Sequence, residues 1–129
     1  MMAQLEHVNI TVADPRGMAV LLGDLFGWKI RWEGSAMDGA GYTIHVGSDD
    51  SYVALYSGSG GTPVAAADSS YRQIAGLNHI GVVVDDLAAA EARVKAAGLT
   101  PGQHQDYEPG RRFYVDTPHE VEIEVISYD

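Results

Sequence analysis

Leu5-Glu6-His7-Val8-Asn9-Ile10-Thr11-Val12-Ala13-Asp14 returns later in the chain as Leu77-Asn78-His79-Ile80-Gly81-Val82-Val83-Val84-Asp85-Asp86. The offset is 72 residues, from Leu5 to Leu77. Leu, His and the closing Asp are identical, and Val8, Ile10 and Val12 fall on Ile80, Val82 and Val84. Self-similarity at a fixed distance marks a repeated structural unit. In the first copy Val8, Ile10 and Val12 share one face of an alternating run, and His7, Asn9 and Thr11 share the other. Period two means a strand with one apolar face.

Outward from these strands, both copies continue in the same way. Asp14 is placed to cap a helix with Pro15 at its first position. Met18, Leu21, Leu22 and Leu25 then recur at helical spacing, and Gly27 supplies a left-handed stop. In the second copy Asp86 caps, Leu87, Ala90 and Val94 form a weaker stripe, and Gly98 stops it. Strand-like runs follow at 28–33, 42–46 and 52–56, and again at 102–107, 112–116 and 121–127. Turn signals separate them, notably Asp38-Gly39-Ala40-Gly41, Ser48-Asp49-Asp50, Glu108-Pro109-Gly110 and Thr117-Pro118. The pattern predicts an α+β fold of two βαβββ modules, 1–57 and 76–129, within one domain spanning 1–129. The Gly-, Ser- and Ala-rich stretch at 58–75 reads as a flexible linker. If the modules pack as a pseudo-two-fold pair, their mixed sheets form a cup, and the faces bearing His7 and His79 line its cavity.

Length and composition narrow the function. A chain of 129 residues suits one domain of ordinary size. Asp and Glu number 18 against 8 Lys and Arg, a net charge of -10. That charge repels phosphate backbones and anionic lipid, so neither nucleic acid nor membrane is an expected partner. The absence of cysteine excludes disulfides, thiolate metal sites and a cysteine nucleophile. No basic stretch leads into an apolar run at the start, and no apolar run approaches the length of a membrane span. A cytoplasmic protein is the expectation. Ser57-Gly58-Ser59-Gly60-Gly61 lacks the Gly-Lys-Ser/Thr ending of a phosphate loop, and no Gly-x-Ser-x-Gly elbow occurs.

The histidines carry the chemistry. Two at equivalent positions of a repeat, aimed at one cavity, suit a divalent metal completed by a carboxylate. The last strand offers Glu122 and Glu124, both on the face opposite Val121, Ile123 and Val125. A buried carboxylate needs a partner, and a cation would supply it for Glu124. Glu122, nearer the sheet edge, is expected to be solvated. An exposed strand face would account for either carboxylate without a metal.

These residues resemble the vicinal oxygen chelate superfamily, which groups glyoxalase I, extradiol dioxygenases, fosfomycin-resistance proteins, methylmalonyl-CoA epimerase and bleomycin-resistance proteins. The resemblance rests on the βαβββ repeat, the Leu-x-His openings and the closing Phe113-Tyr114-x-x-Thr117-Pro118-x-x-x-x-Ile123-Glu124-Val125. It covers nearly the whole chain. It implies metal ligands from the first and last strand of each module, here His7, His79 and Glu124. Where glyoxalase I has a further carboxylate, this chain has Ala54, so the four-ligand site is not intact. The remaining two-His-one-carboxylate set looks like that of extradiol dioxygenases and fosfomycin-modifying enzymes. The resemblance also implies a catalytic role for Tyr114, ten residues before Glu124, where extradiol dioxygenases carry a substrate-contacting tyrosine. As a plain reading, Tyr114 is an aromatic of the cavity wall.

The chain departs from the fosfomycin-modifying pattern at Asn9, where those relatives have threonine, and it has no counterpart of their potassium-binding loop. Glu120 departs from the dioxygenase pattern, which has Gly or Pro there. The expected activity is a metal-dependent lyase, isomerase or extradiol-type dioxygenase step on a small vicinal-oxygen substrate. The expected cofactor is a divalent Fe, Mn, Zn or Ni ion, and a homodimer is expected. The alternative is a metal-free, bleomycin-resistance-type protein that sequesters a cationic drug or metabolite, which the acidity and the aromatics Trp32, Tyr42, Tyr52 and Tyr56 would suit. His104 and His119 read as solvated loop residues, His45 as a surface residue, and Arg111 and Arg112 as exposed turn residues able to fork a substrate carboxylate.

Overall fold

Asp14 and Asp86 cap their helices as their positions demand. The Asp14 carboxylate accepts the Gly17 N–H at 3.0 Å, and that of Asp86 accepts the Ala89 N–H at 3.0 Å. The computed structural model describes residues 2–36, 41–58, 63–107 and 109–129. The chain divides into two compact units, Met1–Val64 and Ala65–Asp129. The turn residues 38–40 and Glu108, and linker residues 59–62, lie outside the described residues.

The first unit runs β1 (His7–Thr11), α1 (Pro15–Phe26), β2 (Lys29–Ser35), β3 (Tyr42–Gly47) and β4 (Tyr52–Tyr56). Its sheet has the order β1-β4-β3-β2, with β1 parallel to β4 and the other pairs antiparallel. The apolar stripe of α1 explains its docking on β3 and β4. Met18, Leu22 and Leu25 are buried against a sheet face that supplies Ile44, Val46 and Leu55. Burying each such side chain stabilises by about 2 kcal/mol. Gly27 ends the helix at φ 70°, a conformation glycine adopts without strain.

The second unit copies this order. It runs β5 (Ile80–Val83), α2 (Leu87–Ala96), β6 (Gln105–Tyr107), β7 (Gly110–Asp116) and β8 (Glu122–Ser127). Its sheet has the order β5-β8-β7-β6, again with one parallel pair, β5 with β8. Leu87, Ala90 and Val94, the three residues of the weak stripe, are the buried side of α2. The expected α+β architecture of two βαβββ modules is therefore present in both halves. Among the described residues no helix is long and apolar enough to cross a membrane.

Two expectations change. The strand expected over 102–107 pairs only across Gln105–Tyr107. Gly102 instead donates its N–H to the Tyr114 carbonyl at 2.6 Å, as a single isolated bond. The linker is not a featureless tether either. Ser70–Arg72 forms a 3-10 turn, with the Ser69 hydroxyl accepting the Tyr71 N–H at 3.2 Å. Arg72, Gln73 and Gly76 close further backbone bonds to Ser69, Ser70 and Gln73. Composition hid this turn because its order comes largely from backbone bonds, which do not depend on side-chain type.

Candidate functional site

Sheet register makes the two units comparable residue by residue. In the first, His7 lies opposite Tyr52, and Asn9 opposite Ala54. In the second, Gly81 lies opposite Glu124, and Glu122 stands two residues before Glu124, beside His79. Ala54 and Glu124 therefore occupy equivalent positions, as do Tyr52 and Glu122. The adjacent antiparallel strand adds a third pair, because His45 faces Ala54 and Tyr114 faces Glu124. Each sheet thus presents the same lattice of positions on the face away from its helix. The side chains filling that lattice are aromatic in one unit and ionic in the other.

In the first unit a row of rings crosses the sheet. His7 stacks on Tyr52 with centroids 4.8 Å apart, and Tyr52 stacks on His45 at 4.5 Å. Trp32 continues the row, 5.2 Å from His45. The Arg31 guanidinium lies over the Tyr52 ring at 4.7 Å, a cation–π contact. His45 is thus an interior member of the row, not the surface residue its sequence suggested. Partial burial, with smaller contributions from His7 and Arg31, lowers its pKa. The Glu6 carboxylate sits 2.8 Å from His7 Nδ1. Tyr42 leaves the row: it donates to Glu33, which also pairs with Arg16. That hydrogen bond, then the one from Arg16, holds the Glu33 carboxyl below the usual range.

In the second unit the same lattice carries an ionic cluster. His79 Nε2 lies 4.0 Å from Glu124 Oε1, and His79 Nδ1 lies 3.6 Å from Glu122 Oε1. The Tyr114 hydroxyl donates to Glu124 Oε1 at 2.6 Å. The hydrogen bond to Glu124, reinforced by desolvation, pushes the Tyr114 phenol well above its ordinary pKa. Tyr71 enters from the 3-10 turn. Its hydroxyl donates to Glu122 Oε1 at 2.6 Å and sits 3.0 Å from His79 Nδ1. Its bond to Glu122 pushes its pKa up to about 12. Glu122 is therefore not the solvated edge residue expected, because the turn covers it with a phenol.

Arg112 is a second correction. It is 6% exposed, not a surface turn residue. Its Nη1 lies 3.6 Å from Glu124 Oε1, and its guanidinium carbon lies 4.3 Å from the centre of the Tyr107 ring. Arg111 alternates outward and reaches Asp129 at 3.5 Å. His104 pairs with Glu91 of α2 at 2.5 Å, away from this cluster, and its ring meets the edge of Phe113. His119 lies in the turn before β8, where its N–H reaches the Thr117 hydroxyl at 3.3 Å.

Of the residues expected to hold a metal, the fold brings His79 and Glu124 together in the second unit, and it places His7 on β1 of the first. Within either unit, among the described residues, no three His, Asp or Glu side chains are arranged to hold an ion by themselves. Sequence reasoning missed Tyr71, Glu122 as its partner, and Arg112. A signal existed for Arg112, which shares the phase of Tyr114 and Glu122 on paired strands. None existed for Tyr71, whose position depends on the turn.

Comparison with known proteins adds three findings. The family model described as Glyoxalase/Bleomycin resistance protein/Dioxygenase superfamily matches residues 4–125. No curated protein matches the chain. Solved structures share its fold at low identity. A glyoxylase/bleomycin resistance protein/dioxygenase domain from Frankia sp. EAN1pec has a TM-score of 0.80 at 19% identity, covering 100% of both chains. The fosfomycin resistance protein FosX from Listeria monocytogenes, complexed with Mn(II) and sulfate, has 0.72 at 15%, covering 100% of this chain and 93% of that one. TnmS3, an antibiotic binding protein from Streptomyces sp. CB03234, has 0.76 at 14%, covering 99% and 98%.

Proposed function

Because this chain belongs to the Glyoxalase/Bleomycin resistance protein/Dioxygenase superfamily, we propose that it is a divalent-metal-dependent enzyme acting on a small substrate with vicinal oxygens. The observation that carries this reading is the 4.0 Å separation of His79 Nε2 and Glu124 Oε1. Neighbouring ligands of one tetrahedral or octahedral ion, each bonded at about 2.1 Å, stand about 3.0 to 3.4 Å apart, so a small side-chain adjustment would let His79 and Glu124 hold the same ion. Their imidazole and carboxylate donors suit Mn, Fe, Zn or Ni. His7, the repeat's counterpart of His79, is the third ligand in this reading. Ala54 contributes no donor, which leaves positions open for substrate oxygens. The Mn(II) in the Listeria protein makes manganese the first ion to try.

When bound, the ion would supply Lewis-acid activation of a substrate oxygen. The chain's own residues do the rest. Tyr114 keeps its phenol proton at neutral pH, because ionising beside the Glu124 carboxylate is unfavourable. It is thus a hydrogen-bond donor able to turn from Glu124 to a substrate oxygen, not a general base. Arg112 places positive charge beside Glu124 and limits the negative charge at the site.

Metal analysis of the purified protein, with titration of the chelated protein by Mn(II), tests the reading. One equivalent bound by the wild type, and a loss of about 100-fold or more in His7→Ala, His79→Ala and Glu124→Ala, is the expected result. A wild type that takes up no ion, with ligand binding unchanged in the variants, would overturn it.

The ring row of the first unit supports a second reading, a metal-free binder of a flat cationic molecule. An exposed aromatic ring such as Trp32, tilted against His45, can hold cations and planar rings without metal. Tight binding of such a drug in the presence of chelator, without turnover and unaffected by Glu124→Ala, would favour it.

A further inference from the structure

We infer that Tyr71 is a positioning residue: its hydroxyl, bridging His79 Nδ1 and Glu122, fixes the tautomer of His79 and leaves the Nε2 lone pair facing Glu124. This deepens the metal reading above and rests on it only for the use made of that lone pair. A phenol has one proton, and a carboxylate can only accept. The Tyr71 proton therefore goes to Glu122 Oε1, 2.6 Å away. The same oxygen lies 3.0 Å from His79 Nδ1 and has only lone pairs left for it. Nδ1 must then be the donor. A neutral imidazole carries one N–H, so Nε2 is bare.

The consequence lies on the other side of the ring. Nε2 faces Glu124 Oε1 at 4.0 Å, and that oxygen already accepts the Tyr114 proton. Two acceptor atoms then face each other with no proton between them. A cation is what such a gap suits. The bridging phenol is needed because Glu122 is 3.6 Å from Nδ1, too far to accept from it directly. Without the phenol, the proton is free to move to Nε2 and point at Glu124, which would close the gap with a hydrogen bond. The relay is a carboxylate–phenol–histidine version of the carboxylate–histidine pairs that orient metal ligands.

The Tyr71→Phe variant keeps the ring and removes the hydroxyl. Long-range 1H–15N spectra of the metal-free protein at about pH 8, above the ordinary histidine range, read the tautomer, with His79→Gln to assign the signals. The wild type is expected to show His79 protonated at Nδ1 and bare at Nε2. Tyr71→Phe, with its far-ultraviolet dichroism unchanged, is expected to shift the proton toward Nε2 and weaken Mn(II) binding by about 10- to 100-fold. Glu122→Gln is expected to shift it in the same direction. An Nε2–H tautomer in the wild type, or an unchanged tautomer in Tyr71→Phe, would overturn the inference. The expected tautomers with no Mn(II) bound by either protein would uphold the relay and remove the metal reading alone.

Discussion

His45 shows how one side chain acquires its properties from its neighbours. In sequence it is an isolated histidine between apolar residues of a strand. In the sheet it is packed between Trp32 and Tyr52, and that burial disfavours its charged form. Its pKa in the folded protein is therefore below the unfolded value near 6.5. As pH falls, the unfolded chain takes up this proton first, which favours unfolding. The contribution of His45 to stability is thus complete above about pH 6.5 and is lost as pH falls through the lower, folded value. Melting temperatures of wild type and His45→Gln between about pH 7.5 and 5 check this. The wild type is expected to lose more stability than the variant over that range, and parallel curves would contradict the account. Arg112 makes the same point without titration. Its burial beside Glu124 and over Tyr107 depends on the register of β7 against β8 and β6, whereas strand phase in the sequence gives only the face it shares with Tyr114.

Elements differ in how openly the sequence declares them. Both helices carry their caps, stripes and glycine stops in plain view, because those signals are local and have fixed spacing. Strands β1, β3, β4, β7 and β8 were legible for a similar reason, since their apolar residues alternate. The 3-10 turn Ser70–Arg72 was not, and it is the element that delivers Tyr71. Its geometry leans on Gly76, where an added Cβ would lie 2.6 Å from the Ser70 carbonyl oxygen and 3.0 Å from that of Gln73. Backbone atoms cannot yield as a flexible side chain can. Gly76→Ala is therefore expected to displace the turn and with it the Tyr71 hydroxyl. The predicted signature is selective. Mn(II) affinity falls by about 10-fold or more, as for Tyr71→Phe, while the melting temperature changes little, because the turn has no buried residues. Unchanged affinity would mean that the turn tolerates the methyl group and that Gly76 does not control Tyr71.

At the scale of the whole molecule, one topology occurs twice and has been filled in two ways. Equivalent positions hold Tyr52 and Glu122, Ala54 and Glu124, His45 and Tyr114. Carboxylates and hydroxyls are concentrated in the second unit, and stacked rings in the first. The net charge of -10 gives a further reason for a cation to stabilise the fold. A ligand that binds only the folded state stabilises it by mass action, by about 2.7 kcal/mol at a hundredfold excess over its dissociation constant. For a domain of this size that is a rise of roughly 10 °C in melting temperature. Mn(II) is expected to produce such a shift in the wild type and to lose most of it in Glu124→Ala. An equal shift in both would mean that the ion binds elsewhere on the acidic surface.

The amino-acid sequence by itself determined the repeat, the order of elements in each half, the helix boundaries and the alignment of Ala54 with Glu124. All of these rest on spacings along the chain, which a linear pattern records. It also placed His79 and Glu124 on the correct face of their sheet. Only the tertiary structure decided that Glu122 is bridged to His79 by Tyr71, that Arg112 is buried beside Glu124, and that His45 stands in a row of rings. Those relations join residues distant in sequence, Tyr71 and Glu122 among them. What sets them is strand register and one backbone turn, and neither leaves a periodic mark in the sequence.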